Sequence, residues 1–141
     1  MNQYTIKEVS TMFDLPASTL RYYEEMGILT NIERTSSGQR IYRDMHINRL
    51  RTICCFKNTG MSISQLQTFF GYESNETEHI NDVVELLEEH KESVAEKMEE
   101  LKRSYEHILR KLHYYSDIKT SLETGEPMPD WKDYKFKIFT E

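Results

Sequence analysis

Residues 16–42 read PASTLRYYEEMGILTNIERTSSGQRIY, and this stretch decides the fold class of the chain. Its first half predicts a short helix, because Leu20 and Met26 form one apolar side while polar side chains within about one turn share the other. Gly27 follows the last turn, where helices commonly end in a left-handed residue. The polar side carries arginine and tyrosine, whose donors suit phosphate oxygens and base edges. We therefore predict a helix that contacts DNA.

The second half of the stretch predicts a basic β-hairpin, or wing. Ile32 and Ile41 flank the turn-rich segment 35–39, TSSGQ, which separates two short β-capable pieces. Arginines on both pieces would bind phosphates beside the groove that the helix enters; the alternative is a solvated hairpin with ordinary surface arginines. The predicted DNA-binding residues of this region and of the preceding helix start are Thr5, Ser18, Thr19, Arg21, Tyr22, Tyr23, Arg34, Arg40 and Tyr42.

A helix is predicted on the N-terminal side of this stretch. Thr5 and Glu8 form a capping box, in which each side chain satisfies a free backbone amide of the other residue. The segment 14–16, Asp-Leu-Pro, ends that helix, and Pro16 fits the first turn of the next one. Two short helices joined by so tight a turn form a helix-turn-helix.

Two more helices are predicted after the hairpin. Asp44 is expected to cap a helix over 45–58. Ser62 and Gln65 form a second capping box, which opens a further helix that Gly71 is expected to end. These helices would complete a small core.

From Ile80 onward the apolar residues recur in alternating steps of four and three, which is the heptad period of a coiled coil. At about 43 residues, or roughly 65 Å, such a helix is too long to be buried by its own N-terminal half, so we predict a symmetric dimer. The alternative is a lone amphipathic helix folded across that half. The heptads alone do not choose between parallel and antiparallel pairing. The predicted seam residues are Val84, Leu87, Val94, Met98, Leu101, Tyr105, Ile108, Leu112 and Tyr115.

An aromatic tail follows the long helix. Tyr134, Phe136 and Ile138 alternate with lysines, which predicts a short strand. We expect the tail to cap the apolar surface of the dimer; the alternative is an aromatic flap over a small ligand.

Charge is unevenly distributed along the 141 residues, which carry a formal net charge of −6. Residues 1–60 hold eight Lys or Arg against six acidic residues, so DNA contact is expected there rather than in the acidic remainder. No apolar run approaches the ~20 residues of a membrane span, and the N-terminus lacks a signal-peptide pattern. We therefore expect a cytoplasmic protein with no membrane partner.

Catalytic and cofactor motifs are not found in the sequence. It has no glycine-rich phosphate loop, no assignable carboxylate pair and no nucleophile with a convincing base. We expect no enzyme activity, no cofactor and no metal. The open alternative for a metal is His79 with His113, which an antiparallel dimer would bring together. The two cysteines are adjacent and imply no disulfide framework.

Four segments in order resemble the N-terminal half of MerR-type transcriptional regulators: YTIKEVSTMF (4–13), TLRYYEEMGIL (19–29), SSGQRIYR (36–43) and FKNTGMSISQLQTF (56–69). The resemblance covers residues 4–70, and one departure is Pro16, where the family usually carries a helix-capping Ser or Thr. It implies a mainly α-helical chain, with a winged helix-turn-helix head over 1–73, a long dimerisation helix forming an antiparallel coiled coil over 74–124, and the tail over 125–141.

The same resemblance implies a function. Such regulators bind a palindromic promoter operator as homodimers and distort the DNA, so that RNA polymerase can use the promoter in response to a small effector or electrophile. From the residues alone, two other classes of protein remain possible. One is an architectural, excisionase-like DNA-binding protein, and the other is a coiled-coil interaction protein without DNA binding.

The adjacent cysteines invite different predictions. Cys54 falls on the apolar face of its helix and suits a core position. Cys55 is turned away and follows Arg51 by one turn, where a guanidinium favours the reactive thiolate. Some MerR-type regulators that answer aldehydes or nitrosative stress carry a cysteine in this helix, so Cys55 with Arg51 is the candidate sensor; the alternative is a structural residue. Metal-sensing relatives use cysteines at the ends of the dimer helix, which this sequence lacks.

Overall fold

The computed structural model describes residues 2–140, in two compact units that divide between His90 and Lys91. The chain is mainly helical with a small antiparallel sheet and a long helix, as predicted. In chain order the elements are β1 (Gln3–Tyr4), α1 (Ile6–Phe13), α2 (Ala17–Glu25), β2 (Glu33–Arg34), β3 (Arg40–Arg43), α3 (Asp44–Asn58), α4 (Ile63–Glu73), α5 (Ile80–Thr124) and a 3₁₀ turn (Trp131–Asp133).

Helix α1 begins at the predicted capping box. The Glu8 amide donates to Thr5 Oγ1 at 3.1 Å, and the Thr5 amide donates to Glu8 Oε1 at 3.0 Å. Asp14 then takes a left-handed conformation, with φ 52°, and ends the helix. Pro16 directly precedes α2 without a side-chain cap. The helix-turn-helix therefore forms where the local sequence signals predict it.

The sheet contains the predicted hairpin and one strand that the sequence did not reveal. β2 pairs with β3 in antiparallel register, and β1 pairs with the other edge of β3, giving the order β1-β3-β2. Tyr4 on β1 donates its hydroxyl to Asp44 Oδ1 at 2.9 Å. A two-residue strand is too short to show an alternating pattern, which is why β1 was missed.

Helices α3 and α4 differ from the predictions at one end each. Asp44 is the first residue of α3 rather than its cap; the cap is Arg43, whose amide donates to His46 Nδ1 at 2.9 Å. The Ser62–Gln65 capping box opens α4 as predicted, but the helix continues through Gly71 to Glu73. The prediction that Gly71 ends the helix is wrong.

The core of the first unit lies between the helices and β3. Arg49 spans it as a structural residue: its Nε donates to the Ile28 carbonyl at 2.6 Å and its guanidinium lies 3.8 Å from the centre of the Phe70 ring. Burial lowers the pKa of Arg49. The fully buried apolar residues include Val9, Leu20, Ile28, Leu29, Tyr42, Leu50, Ile53 and Leu66.

In the second unit the tail packs on α5. Trp131 contacts Tyr114 and the Lys111 ammonium, which lies 3.8 Å from the ring centre; Phe139 stacks on His113 at 3.9 Å. Arg110 Nε donates to the Lys137 carbonyl at 2.7 Å. A 3₁₀ turn, and no strand, forms in the described part of this tail, so the predicted strand is wrong.

A hydrogen bond also anchors the middle of the tail. Tyr134 donates its hydroxyl to Asp117, and this bond raises the pKa of Tyr134 to about 12. The helix positions that hold the tail are different from the heptad positions of the predicted seam. Among residues 2–140, the predicted seam therefore stays exposed except at the half-buried Val94.

Among residues 2–140, no helix combines the length and the apolar content that a membrane crossing requires.

Candidate nucleic-acid interface

Helix α2 presents a polar face and buries an apolar one. Ser18, Arg21 and Tyr22 are exposed and Thr19 is half-buried, while Leu20 is fully buried. Gly27 takes a left-handed conformation with φ 77°, so the chain turns away after the helix as the sequence predicts. Three donor-bearing side chains are thus displayed together on a short, well-anchored helix.

The hairpin presents two arginines directly opposite each other. The register of β2 and β3 pairs Arg34 with Arg40. Between them, the Thr35 amide donates to the Gln39 carbonyl at 2.8 Å, and Gly38 takes φ 88°, which a side chain would disfavour. A tight turn therefore holds the two strands, and both arginines, in a fixed relation.

Glu24 connects this hairpin to α2. Its Oε1 lies 2.7 Å from Arg40 Nε and 3.5 Å from Arg34 Nη2. Sequence reasoning missed this link. Glu24 reads as one of two adjacent acidic residues on the polar side of a helix, and nothing local shows that it reaches the hairpin.

Two predicted contact residues are instead core residues. Tyr23 and Tyr42 are buried, and desolvation raises the pKa of both phenols. The Tyr42 ring packs edge-on against His46, whose Nε2 lies 2.9 Å from the Thr30 carbonyl oxygen. This burial contradicts the direct DNA contacts predicted for both tyrosines.

Tyr42→Phe is expected to stabilise the fold. Within residues 2–140 the buried Tyr42 hydroxyl has no hydrogen-bond partner, and an unsatisfied buried polar group costs about 1–3 kcal/mol. Chemical denaturation should therefore give a higher free energy of unfolding for the variant. Tyr4→Phe is the control and should lower the free energy of unfolding, because it removes the hydrogen bond to Asp44. A destabilised Tyr42→Phe would show that the hydroxyl has a partner after all.

Thr5 and the cysteines lie elsewhere on the first unit. The exposed Thr5 caps α1, as described above. Cys55 is exposed and Cys54 is half-buried, and burial raises the pKa of the Cys54 thiol. Arg51 Nη1 donates to Asn48 Oδ1 at 3.1 Å.

The end of α3 is hydrogen-bonded to α5. Thr59 Oγ1 lies 2.8 Å from the Cys55 carbonyl oxygen and 2.8 Å from His90 Nε2. The His90 ring also packs edge-on against Phe56, with the ring centres 5.8 Å apart. The Cys55 backbone is therefore linked to the long helix through two hydrogen bonds, both made by the Thr59 hydroxyl.

His79 and His113, the pair considered as an alternative metal site, each contact another side chain. His79 Nδ1 lies 3.2 Å from Asp82 Oδ2, and His113 stacks on Phe139. In the part of the chain that the structure describes, no group of three or more His, Cys, Asp or Glu side chains is arranged to hold a metal ion.

Comparison with known proteins places this architecture in a family. The family model for the MerR HTH regulatory protein matches residues 4–73, and the model for the MerR DNA-binding region matches residues 47–110. An uncharacterised HTH-type transcriptional regulator of Haemophilus influenzae is 30% identical over 116 residues, or 82% of this chain and 86% of the relative. The regulator YyaN of Bacillus subtilis, also uncharacterised, is 30% identical over 137 residues, or 85% of this chain and 96% of the relative.

Solved structures agree with these relatives. The crystal structure of HiNmlR, described as a MerR family regulator lacking the sensor domain and bound to promoter DNA, matches with a TM-score of 0.78 at 27% identity. The match covers 92% of this chain and all of that one. The chain belongs to the MerR family and is a DNA-binding transcriptional regulator.

Proposed function

We propose that the regulator acts as a homodimer on a palindromic promoter operator, and that the uncovered seam of α5 is its dimer interface. The exposure of this seam is the observation that supports the proposal. In the single chain Leu101 is 71% exposed, Met98 65% and Ile108 62%. Monomeric proteins rarely expose a contiguous apolar surface of this length. A second copy would bury these side chains in heptad packing.

Charge along α5 favours antiparallel pairing. Residues 80–100 hold eight acidic and two basic side chains, whereas residues 101–124 hold three acidic and five basic ones. Antiparallel pairing sets the acidic half of each copy against the basic half of the other. Parallel pairing would set two acidic halves together, at an electrostatic cost.

The proposed DNA-binding residues are Ser18, Arg21 and Tyr22 on α2, with Arg34 and Arg40 on the wing. All are exposed except Arg40, which is half-buried. In a two-fold dimer each α2 would enter a major groove, while each wing lies on the adjacent backbone. A dimer that bends or untwists its site uses DNA deformation as an energy term, and RNA polymerase at that promoter would respond to it. This role is cytoplasmic and requires no catalysis. The proposed domains are the DNA-binding head over 1–73, the dimerisation helix over 74–124 and the tail over 125–141.

Selection of bound DNA fragments from a random library tests this function. We expect recovered fragments with dyad symmetry. Binding without sequence preference would instead support an architectural protein, and failure to bind would support a coiled-coil interaction protein.

We further propose that an electrophile such as an aldehyde signals through Cys55. The thiol sulfur would bond to the carbonyl carbon while the proton passes to the carbonyl oxygen, giving a hemithioacetal. Exposure favours Cys55 over the half-buried Cys54, and the Thr59 bridge to His90 offers a route to α5. To act as a switch, the adduct must favour one state of the DNA-bound dimer by typically ~1–3 kcal/mol.

Cys55→Ser is expected to abolish the promoter's response to a small aldehyde, because the nucleophile is gone. Promoter output with and without the aldehyde measures this response, and Cys54→Ser is the matched control that should keep at least part of it. An undiminished response in Cys55→Ser would leave Cys55 a structural residue. The aromatic tail would then be the better sensor candidate.

A further inference from the structure

The wing contains an unfavourable pairing that Glu24 relieves. Arg34 and Arg40 face each other across β2 and β3, and like charges directly opposite on paired strands are destabilising. One oxygen atom, Glu24 Oε1, is within ion-pair distance of both guanidinium groups. The two arginines therefore share a single counter-charge that comes from the DNA-contacting helix.

The contacts are close and partly shielded from water. The side chains of Arg40 and Glu24 are only 21% and 25% exposed, and the 2.7 Å bond from Arg40 Nε is a charge-assisted hydrogen bond. Arg34 is further restrained, since its Nη1 donates to the Gly38 carbonyl at 3.3 Å. Shielded pairs of this kind fix geometry better than freely exposed pairs, which contribute little.

We propose that Glu24 is a positioning residue for operator recognition: it holds both wing arginines at a fixed distance from α2. The proposal rests on the DNA-binding role assigned above to α2 and the wing. Phosphate contacts set the register in which a helix meets base edges. A wing that is tied to α2 accepts only DNA whose backbone lies at the matching distance from the groove. The Glu24 carboxylate also repels any DNA phosphate that approaches it without contacting the wing arginines.

Three variants separate positioning from charge. Glu24→Gln removes the charge with little change in shape, and Glu24→Asp keeps the charge but shortens the side chain. Glu25→Gln is the matched control: among residues 2–140, Glu25 forms no ion pair with Arg34 or Arg40. The quantity to measure is the ratio of operator affinity to affinity for a scrambled duplex, at fixed salt concentration.

Both Glu24 variants should lower this ratio by about fivefold or more, whereas Glu25→Gln should leave it unchanged. The loss should come from tighter binding to the scrambled duplex together with weaker binding to the operator. A wild-type ratio in Glu24→Asp would mean that the charge alone matters and would overturn the proposal. A wild-type ratio in Glu24→Gln would overturn it as well.

Coupling to Arg40 gives a second, independent test. In an Arg40→Ala background, Glu24→Gln should change the ratio less than in the wild type, because the nearer of the two arginines that Glu24 positions is absent. Equal effects in the two backgrounds would contradict the proposal. In the free protein, the NMR signal of the Arg40 Nε–H should be protected in the wild type and lost in Glu24→Gln; an unprotected wild-type signal would also overturn it.

Arg21→Ala distinguishes a failure of this inference from a failure of the proposed function. If Arg21→Ala weakens operator binding while the Glu24 variants keep the wild-type ratio, α2 is still the DNA-contacting helix and only the positioning role is wrong. If Arg21→Ala also binds normally, the whole assigned surface is wrong.

Discussion

Leu101→Asp should leave the protein monomeric at concentrations where the wild type is dimeric. Leu101 is the midpoint of the heptad run over 80–122. In the proposed antiparallel pair it would lie near the two-fold axis and meet its own copy, so the variant would place two carboxylates against each other in an apolar seam. Burying one polar group without a partner costs about 2–7 kcal/mol. Sedimentation equilibrium measures the shift directly.

The same variant should lose most of its affinity for the full operator. Two linked heads bind a palindrome more tightly than one head by about 10²–10⁴-fold, and a monomer forfeits this gain. Thr120→Asp is the matched control, since it adds the same charge at an exposed position of α5 outside the seam. A Leu101→Asp protein that remains dimeric would show that another interface dominates.

Helix starts were predictable because their signals are local. Thr5 with Glu8, and Ser62 with Gln65, each satisfy backbone amides within one turn, so no knowledge of the tertiary fold is needed. The helix that continues through Gly71 shows the limit of such signals. Glycine costs about 1 kcal/mol in a helix interior, and the packing of the adjacent buried Phe70 offsets it.

Contacts between distant elements could not be predicted from the sequence. Tyr23 and Tyr42 were assigned to DNA because tyrosine suits both a core and a phosphate surface, and short elements do not show which side is buried. Glu24 was overlooked because its partners lie 10 and 16 residues away, across a turn. Among residues 2–140, the alternating segment of the tail has no neighbouring strand to pair with. Tyr134 and Phe139 pack on α5 instead, while Phe136 stays exposed.

Arg21→Ala should weaken operator binding while the dimer and the fold stay intact. Arg21 is exposed on α2 among the polar side chains, whereas Arg34 and Arg40 share Glu24. Arg21 forms neither of these Glu24 ion pairs, and it lies on the helix that is proposed to enter the major groove. If the partner is a phosphate, the slope of log affinity against log salt should fall by about one unit; if it is a base edge, discrimination should relax by about 1–3 kcal/mol.

Affinity measured over a series of salt concentrations, on the operator and on single-base variants, separates these two cases. Lys132→Ala is the matched control, because it removes the same charge from an exposed side chain of the tail. It should reproduce neither change, since the tail carries none of the proposed DNA-binding residues. Wild-type affinity and salt slope in Arg21→Ala would mean that α2 does not contact DNA in the way its exposed face suggests. The wing would then have to account for binding, and Arg40→Ala, which also leaves the Glu24 carboxylate without its nearer partner, would become the more damaging substitution.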